Sequence, residues 1–190
     1  MLPCRCIVLI GFMGAGKTTT GAALARLLGW RFVDLDDNIC DAAGKPIADI
    51  FTQHGEAHFR AEEARHLANI LPSAHTKTPL VLAVGGGAVE NPDSHKLLAT
   101  APDTCIIYLE APLPVLLSRC QAPHERAHAP VRPLLAEAEL RYEHRVPLYE
   151  SIGAPVSTYG FSAEDVAANI VSLLQMRGTA GTIKSTSSSS

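Results

Sequence analysis

Blocks of apolar and polar residues alternate along the 190-residue chain, and their period changes in a regular order. The apolar run Ile7-Val-Leu-Ile10 breaks at Gly11, passes a glycine-rich turn and restarts as a helical repeat at Lys17, with Leu24, Leu27 and Leu28 on one face. Gly29 closes that helix, and Trp30 to Leu35 predicts a second short strand. Residues 38–71 read as helical, interrupted at Ala43-Gly44-Lys45-Pro46 and at His54-Gly55. Leu80 to Val84 is a continuous apolar run suited to a strand buried on both faces. Next come a helix from Pro92 to Ala99, a strand from Thr104 to Leu109 and a helix from Pro112 to Arg119. A helix from Leu134 to Ser151, expected to kink at Pro147, leads to a short strand at Pro155 to Thr158 and a closing helix from Ala163 to Leu174. Strands alternating with helices predict a three-layer α/β fold, a parallel sheet of about five strands with helices on both faces.

Length allows one sizeable core, so residues 1–176 are expected to form a single domain. Residues 177–190 end in a serine run and are expected to be a disordered tail. Lys+Arg 16 against Asp+Glu 19 leaves a net charge of −3, which argues against a broad nucleic-acid face or attraction to an anionic membrane. An anionic ligand must then be met by a local cluster. No apolar stretch approaches the roughly 18 residues of a membrane span, and the N-terminus runs directly into the first strand, so a cytoplasmic protein is expected. Five scattered cysteines without C-x-x-C spacing fit that setting as reduced thiols.

Candidate chemistry begins at Gly11, Gly16, Lys17 and Thr18, which fill the pattern G-x-x-x-x-G-K-[ST] between a strand and a helix. Such a loop turns successive N–H groups onto phosphate oxygens, Lys17 adds charge, and Thr18 offers a hydroxyl to a magnesium ion on the nucleotide. With glycine at about 7% of average composition, the pattern arises by chance in roughly one chain per hundred of this length, fewer once strand and helix are required. The second strand ends in Asp34-Leu35-Asp36-Asp37, where alternation puts Asp34 and Asp36 on one side of the chain, one facing metal and one substrate. Acidic residues also cap helices, a role that suits Asp37 and fits Asp36 as well. Arg60 and Glu63 lie three apart on a helix face, although a lone arginine there is most often solvated. Gly85-Gly86-Gly87 closes a strand, where three glycines imply something that approaches the main chain closely. Residues 119–133, rich in proline and charge, look like a mobile lid. Within them Cys120, His124 and His128 have metal-like spacing, but Pro123 and Pro130 oppose the regular helix that would align them.

Together these motifs resemble the shikimate kinase family. The resemblance rests on Gly11-Phe-Met-Gly-Ala-Gly-Lys-Thr-Thr19, Phe32-Val-Asp-Leu-Asp36, Ile50-Phe with Gly55-Glu, Phe59-Arg60 and Glu63, then Gly85-Gly-Gly-Ala-Val89, Val131-Arg-Pro-Leu-Leu135 and Tyr142 with Arg145-Val-Pro-Leu-Tyr149. It implies a P-loop kinase with substrate helices at about 36–71, which transfers phosphate from ATP to the 3-hydroxyl of shikimate on the route to aromatic amino acids. Gly14, Ala15, Gly16, Lys17, Thr18 and Thr19 would bind ATP, and Arg119 would pack on adenine. Asp36, Arg60, Arg145 and Gly85 to Gly87 would hold shikimate. Thr18, with Asp34 through water, would serve Mg²⁺, and Lys17 and Arg132 would contact the transferring phosphoryl group, with Asp36 a base or an orienting group. A monomer is expected. The alternatives are a gluconate kinase on the same scaffold and a non-catalytic nucleotide-binding regulator. The intact Lys17, Asp34, Asp36 and Arg132 speak against the regulator.

Overall fold

Strand β1 (Cys6–Ile10) has every residue buried and lies between two parallel neighbours, β3 (Leu80–Ala83) and β4 (Thr104–Glu110). A strand enclosed on both edges and both faces has no place for a polar side chain, which is why Cys6-Ile-Val-Leu-Ile10 and Leu80-Val-Leu-Ala83 read as unbroken apolar runs. The computed structural model describes residues 2–76, 78–121 and 135–183. Its single sheet has the order β2-β3-β1-β4-β5, all parallel, with β2 (Arg31–Asp34) and β5 (Ala154–Ser157) at the edges. β5 alternates buried and exposed residues, and Pro155, lacking an N–H, is tolerated there because one side of the strand needs no donor.

Helix α1 (Lys17–Leu28) packs against α8 (Ala163–Ile183). Right-handed crossovers put α1 on one face, because β1 to β2 steps one way across the sheet and every later connection steps back. The opposite face takes α2 (Leu35–Ala43), α3 (Ile47–Ile70), α5 (Pro92–Thr100), α6 (Leu113–Gln121) and α7 (Leu135–Ile152), with a one-turn α4 (Ser73–Thr76) after α3. The three-layer α/β fold and its five parallel strands are as the alternation of apolar blocks implies.

Several boundaries differ from the expectation. α2 starts at Leu35, directly after β2, so Asp36 lies in a first helical turn and not on an extended strand end. Its cap is Asp34, whose side chain accepts from the Asp36 backbone N–H; neither Asp36 nor Asp37 plays that part. α7 runs on through Pro147. α8 continues to Ile183, past Leu174 and into the segment expected as tail, since no proline or cap stops it there. Arg119, Cys120 and Gln121, the first residues assigned to the lid, are the last turn of α6. The remainder of the lid, with His124, His128 and Arg132, lies outside the described residues, as do residues 184–190.

Candidate active site

The loop after β1 enters α1 through Gly16, whose φ of 83° is left-handed and open to glycine at little cost. Lys17 folds back over this loop, and its Nζ donates to the carbonyls of Gly11 at 2.8 Å and Phe12 at 3.0 Å. Loss of water lowers the pKa of this ammonium, and the carboxylates of Asp36 and Asp34 oppose that shift. Thr18 Oγ1 donates to Asp34 Oδ2 at 2.6 Å, so the hydroxyl and the carboxylate expected near a metal are adjacent. Both offer oxygen, the ligand a small hard cation prefers. Thr19 Oγ1 bonds the Gly16 carbonyl at 3.0 Å. Ala15, within the loop, is buried.

Beside the loop opens a cleft of about 450 Å³ whose walls include Met13, Asp36, Phe51, Arg60, Glu63 and Arg145. Gly85 to Gly87 form its floor, and at Gly85 and Gly87 no side chain would fit. A methyl on Gly85 would stand 2.5 Å from Glu63 Oε1 and 2.9 Å from Asp36 Oδ1, and one on Gly87 would overlap the Arg60 guanidinium. Asp36 Oδ1 and Glu63 Oε1 are buried without hydrogen-bond partners among the described residues. Burial, then the neighbouring charges of Glu63 and Asp34, push the Asp36 carboxyl up to about 7, against the pull of Lys17 and Arg60. Burial also raises Glu63, against Arg60.

Two guanidiniums stand in this wall. Arg60, with a side chain only 17% exposed, donates to Glu63 Oε2 at 2.8 Å and Glu56 Oε1 at 3.0 Å. Arg60 is not the solvated charge that a lone helix-face arginine usually is: the kink at Gly55 (φ 80°, ψ 170°) divides α3, and Arg60 lies on its second half against Gly87. Arg145 donates through Nη2 to Glu90 Oε2 at 2.7 Å and lies over the Phe12 ring, while its Nε is buried without a partner among the described residues. Tyr149, one turn further along α7, donates to the Gly86 carbonyl and ties that helix to the glycine floor.

Arg119 stands on the other side of the phosphate loop. It reaches the Gly14 carbonyl at 3.4 Å, Thr158 Oγ1 at 2.9 Å and the Thr158 carbonyl at 2.8 Å. Tyr159 and Phe161, just beyond, are exposed. Lys17, Thr18, Asp34, Asp36, Arg60, Gly85 to Gly87 and Arg145 thus meet at the carboxyl ends of β1, β2 and β3, where open α/β sheets bind ligands. Glu90 and Thr158 were not foreseen, since their partners are 55 and 39 residues away and no local spacing joins them.

A parallel sheet with a phosphate loop at the end of its central strand, beside a cleft of small-molecule size, defines a P-loop kinase of small metabolites. The chain belongs to the shikimate kinase family, whose family model, described as "Shikimate kinase", matches residues 13–175. The shikimate kinase of Persephonella marina is 36% identical over 171 residues, covering 88% of this chain and 97% of that relative. That of Ruegeria pomeroyi is 37% identical over 180 residues, 91% of this chain and 86% of the relative. Among solved structures, a shikimate kinase from Acinetobacter baumannii in complex with shikimate superposes with a TM-score of 0.80 at 31% identity, over 90% of this chain and 93% of that one. A gluconokinase from Sinorhizobium meliloti, at a TM-score of 0.53 and 19% identity over 92% of this chain and 95% of that one, shares the fold alone. Kinases of this family use ATP, which implies a metal ion.

Proposed function

We propose that the chain transfers the γ-phosphoryl group of ATP to the 3-hydroxyl of shikimate, giving shikimate 3-phosphate and ADP. The observation that carries this reading is the cleft itself, which sets a phosphate loop beside a buried carboxylate oxygen and a buried guanidinium Nε that both lack a partner among the described residues. Shikimate has one carboxylate and three hydroxyls. Arg60 and Arg145 suit the carboxylate and Asp36 suits a hydroxyl.

In the step itself, the 3-oxygen bonds to the γ-phosphorus as the bond from that phosphorus to the ADP oxygen breaks, and the hydroxyl proton passes to Asp36. A carboxyl raised to about 7 is a better base than an ordinary one and is still half ionised near neutral pH. Lys17 steadies charge on the transferring group, and Arg132 from the lid does the same once water is excluded. Gly14 to Thr19 cradle the phosphates, and Arg119 borders adenine. Mg²⁺, held by the nucleotide, the Thr18 hydroxyl and Asp34 through water, would neutralise phosphate charge. A monomer in the cytoplasm fits a site furnished by one chain and five free cysteines. An assay coupling ADP release to added shikimate, with gluconate in parallel, tests the reading. Turnover with gluconate and none with shikimate would overturn it.

A further inference from the structure

We infer that Glu90 is a positioning residue for substrate carboxylate capture: from outside the cleft it holds the guanidinium of Arg145, a residue that lines it. This rests on the proposed role of Arg145. The Arg145 side chain is only 6% exposed, and a cation so far from water requires a charged partner. Glu63 and Glu90 both feel its charge. Glu63 is engaged by Arg60 at 2.8 Å and keeps its second oxygen bare, so an unrestrained Arg145 would be drawn across the cleft toward it. Glu90 competes for the same guanidinium from outside. It bonds Nη2 at 2.7 Å and does not line the cleft, whereas Arg145 does.

The carboxylate is itself fixed. Glu90 ends a 3₁₀ turn, Ala88–Glu90, that leaves the glycine floor directly, with Ala88 N–H bonded to the Gly85 carbonyl and Glu90 N–H to the Gly87 carbonyl, both at 3.0 Å. Ala88 and Val89 are buried and anchor the turn. Glu90 Oε1, the oxygen not nearest Arg145, lies 3.4 Å from His144 Nδ1 on the solvent side. The floor that excludes side chains from the cleft therefore also orients the arginine above it.

The test compares kcat and the KM values for shikimate and ATP in wild type, Glu90→Gln and Glu90→Ala, with a shikimate analogue whose carboxylate is reduced to an alcohol. Glu90→Ala is expected to raise the shikimate KM about tenfold, the scale of one hydrogen bond to a charged group, with kcat and the ATP KM within about twofold. Glu90→Gln keeps an acceptor oxygen and should fall between, at about threefold. The analogue should bind wild type and variants alike. An unchanged shikimate KM in Glu90→Ala, an equal rise for ATP, an equal loss with the analogue, or a Gln variant as impaired as Ala would each overturn the inference. If Glu90→Ala does not fold, Glu90→Gln decides alone, a rise supporting and no rise overturning. Wild type inert toward shikimate would instead fell the functional reading.

Discussion

Asp36 and Glu63 meet over Gly85, each with one carboxylate oxygen buried and lacking a hydrogen-bond partner among the described residues. Two acids so placed make the site dependent on pH. The Asp36 carboxyl is raised from 3.8 to about 7, so between those values the folded protein carries a proton that the unfolded chain has lost. Its stabilising contribution is complete below about 3.8 and declines as pH rises through about 7. Asp36→Asn should flatten that decline and melt above wild type at pH near 8. Parallel pH profiles of melting temperature in the two proteins would contradict the burial of this charge.

The same carboxyl sets the expected kinetics. For wild type, kcat/KM should climb with pH and level off above about 7, because only ionised Asp36 can accept the hydroxyl proton. Asp36→Asn keeps the shape and should lose most of kcat. Wild-type turnover in that variant would show the residue to be structural.

Arg60→Ala and Arg145→Ala should each weaken shikimate binding by on the order of 2–4 kcal/mol and leave ATP binding nearly unchanged. Arg60→Ala should also lower the melting temperature, since it strips buried Glu63 of its partner. Calorimetric titration with each ligand reads both effects, and normal shikimate affinity in both variants would remove the carboxylate clamp.

Gly87→Ala probes the floor without altering any charge. The added methyl overlaps the Arg60 guanidinium and must displace it. Shikimate KM should rise by about tenfold or more while the ATP KM holds. A variant kinetically equal to wild type would show that Arg60 does not need its present position.

For Arg132, outside the described residues, the expectation comes from chemistry and the resemblance. A lid cation that meets the phosphoryl group only on closure acts chiefly in the transition state, so Arg132→Ala should cut kcat by roughly a hundredfold or more with a modest loss of nucleotide affinity. Arg132→Lys should recover little, lacking the planar fork. Normal kcat in both would end the lid mechanism and leave the phosphate loop untouched.

What the sequence reveals here is what is local. Lys17 and Thr18 sit in an eight-residue pattern, β1 and β3 are apolar because they are enclosed, and Gly44 announces the end of α2 through its left-handed conformation. Pairings fixed by packing are invisible to any period. Glu90 finds Arg145 across 55 residues, and Arg119 finds Thr158 across 39. Asp34, at the strand end, also caps α2, and the sequence hides this second role because the strand-to-helix turn has no linker to mark it. The burial of Arg60 is not legible in its own helix, because the neighbours that desolvate it, Gly87 above all, come from another strand end.

Lys17 holds two carbonyls of its own loop, and this governs what the residue can sense. The two carbonyls occupy two of the three N–H donors of Nζ, so a phosphate oxygen can take the third, and the gain is a charge-assisted bond that neither neutral carbonyl supplies. A nucleoside without phosphates offers that third N–H no anionic oxygen. Its affinity should be indifferent to Lys17, and the residue should become more valuable with each added phosphate, so that the loop reads the charge of the chain rather than the identity of the base.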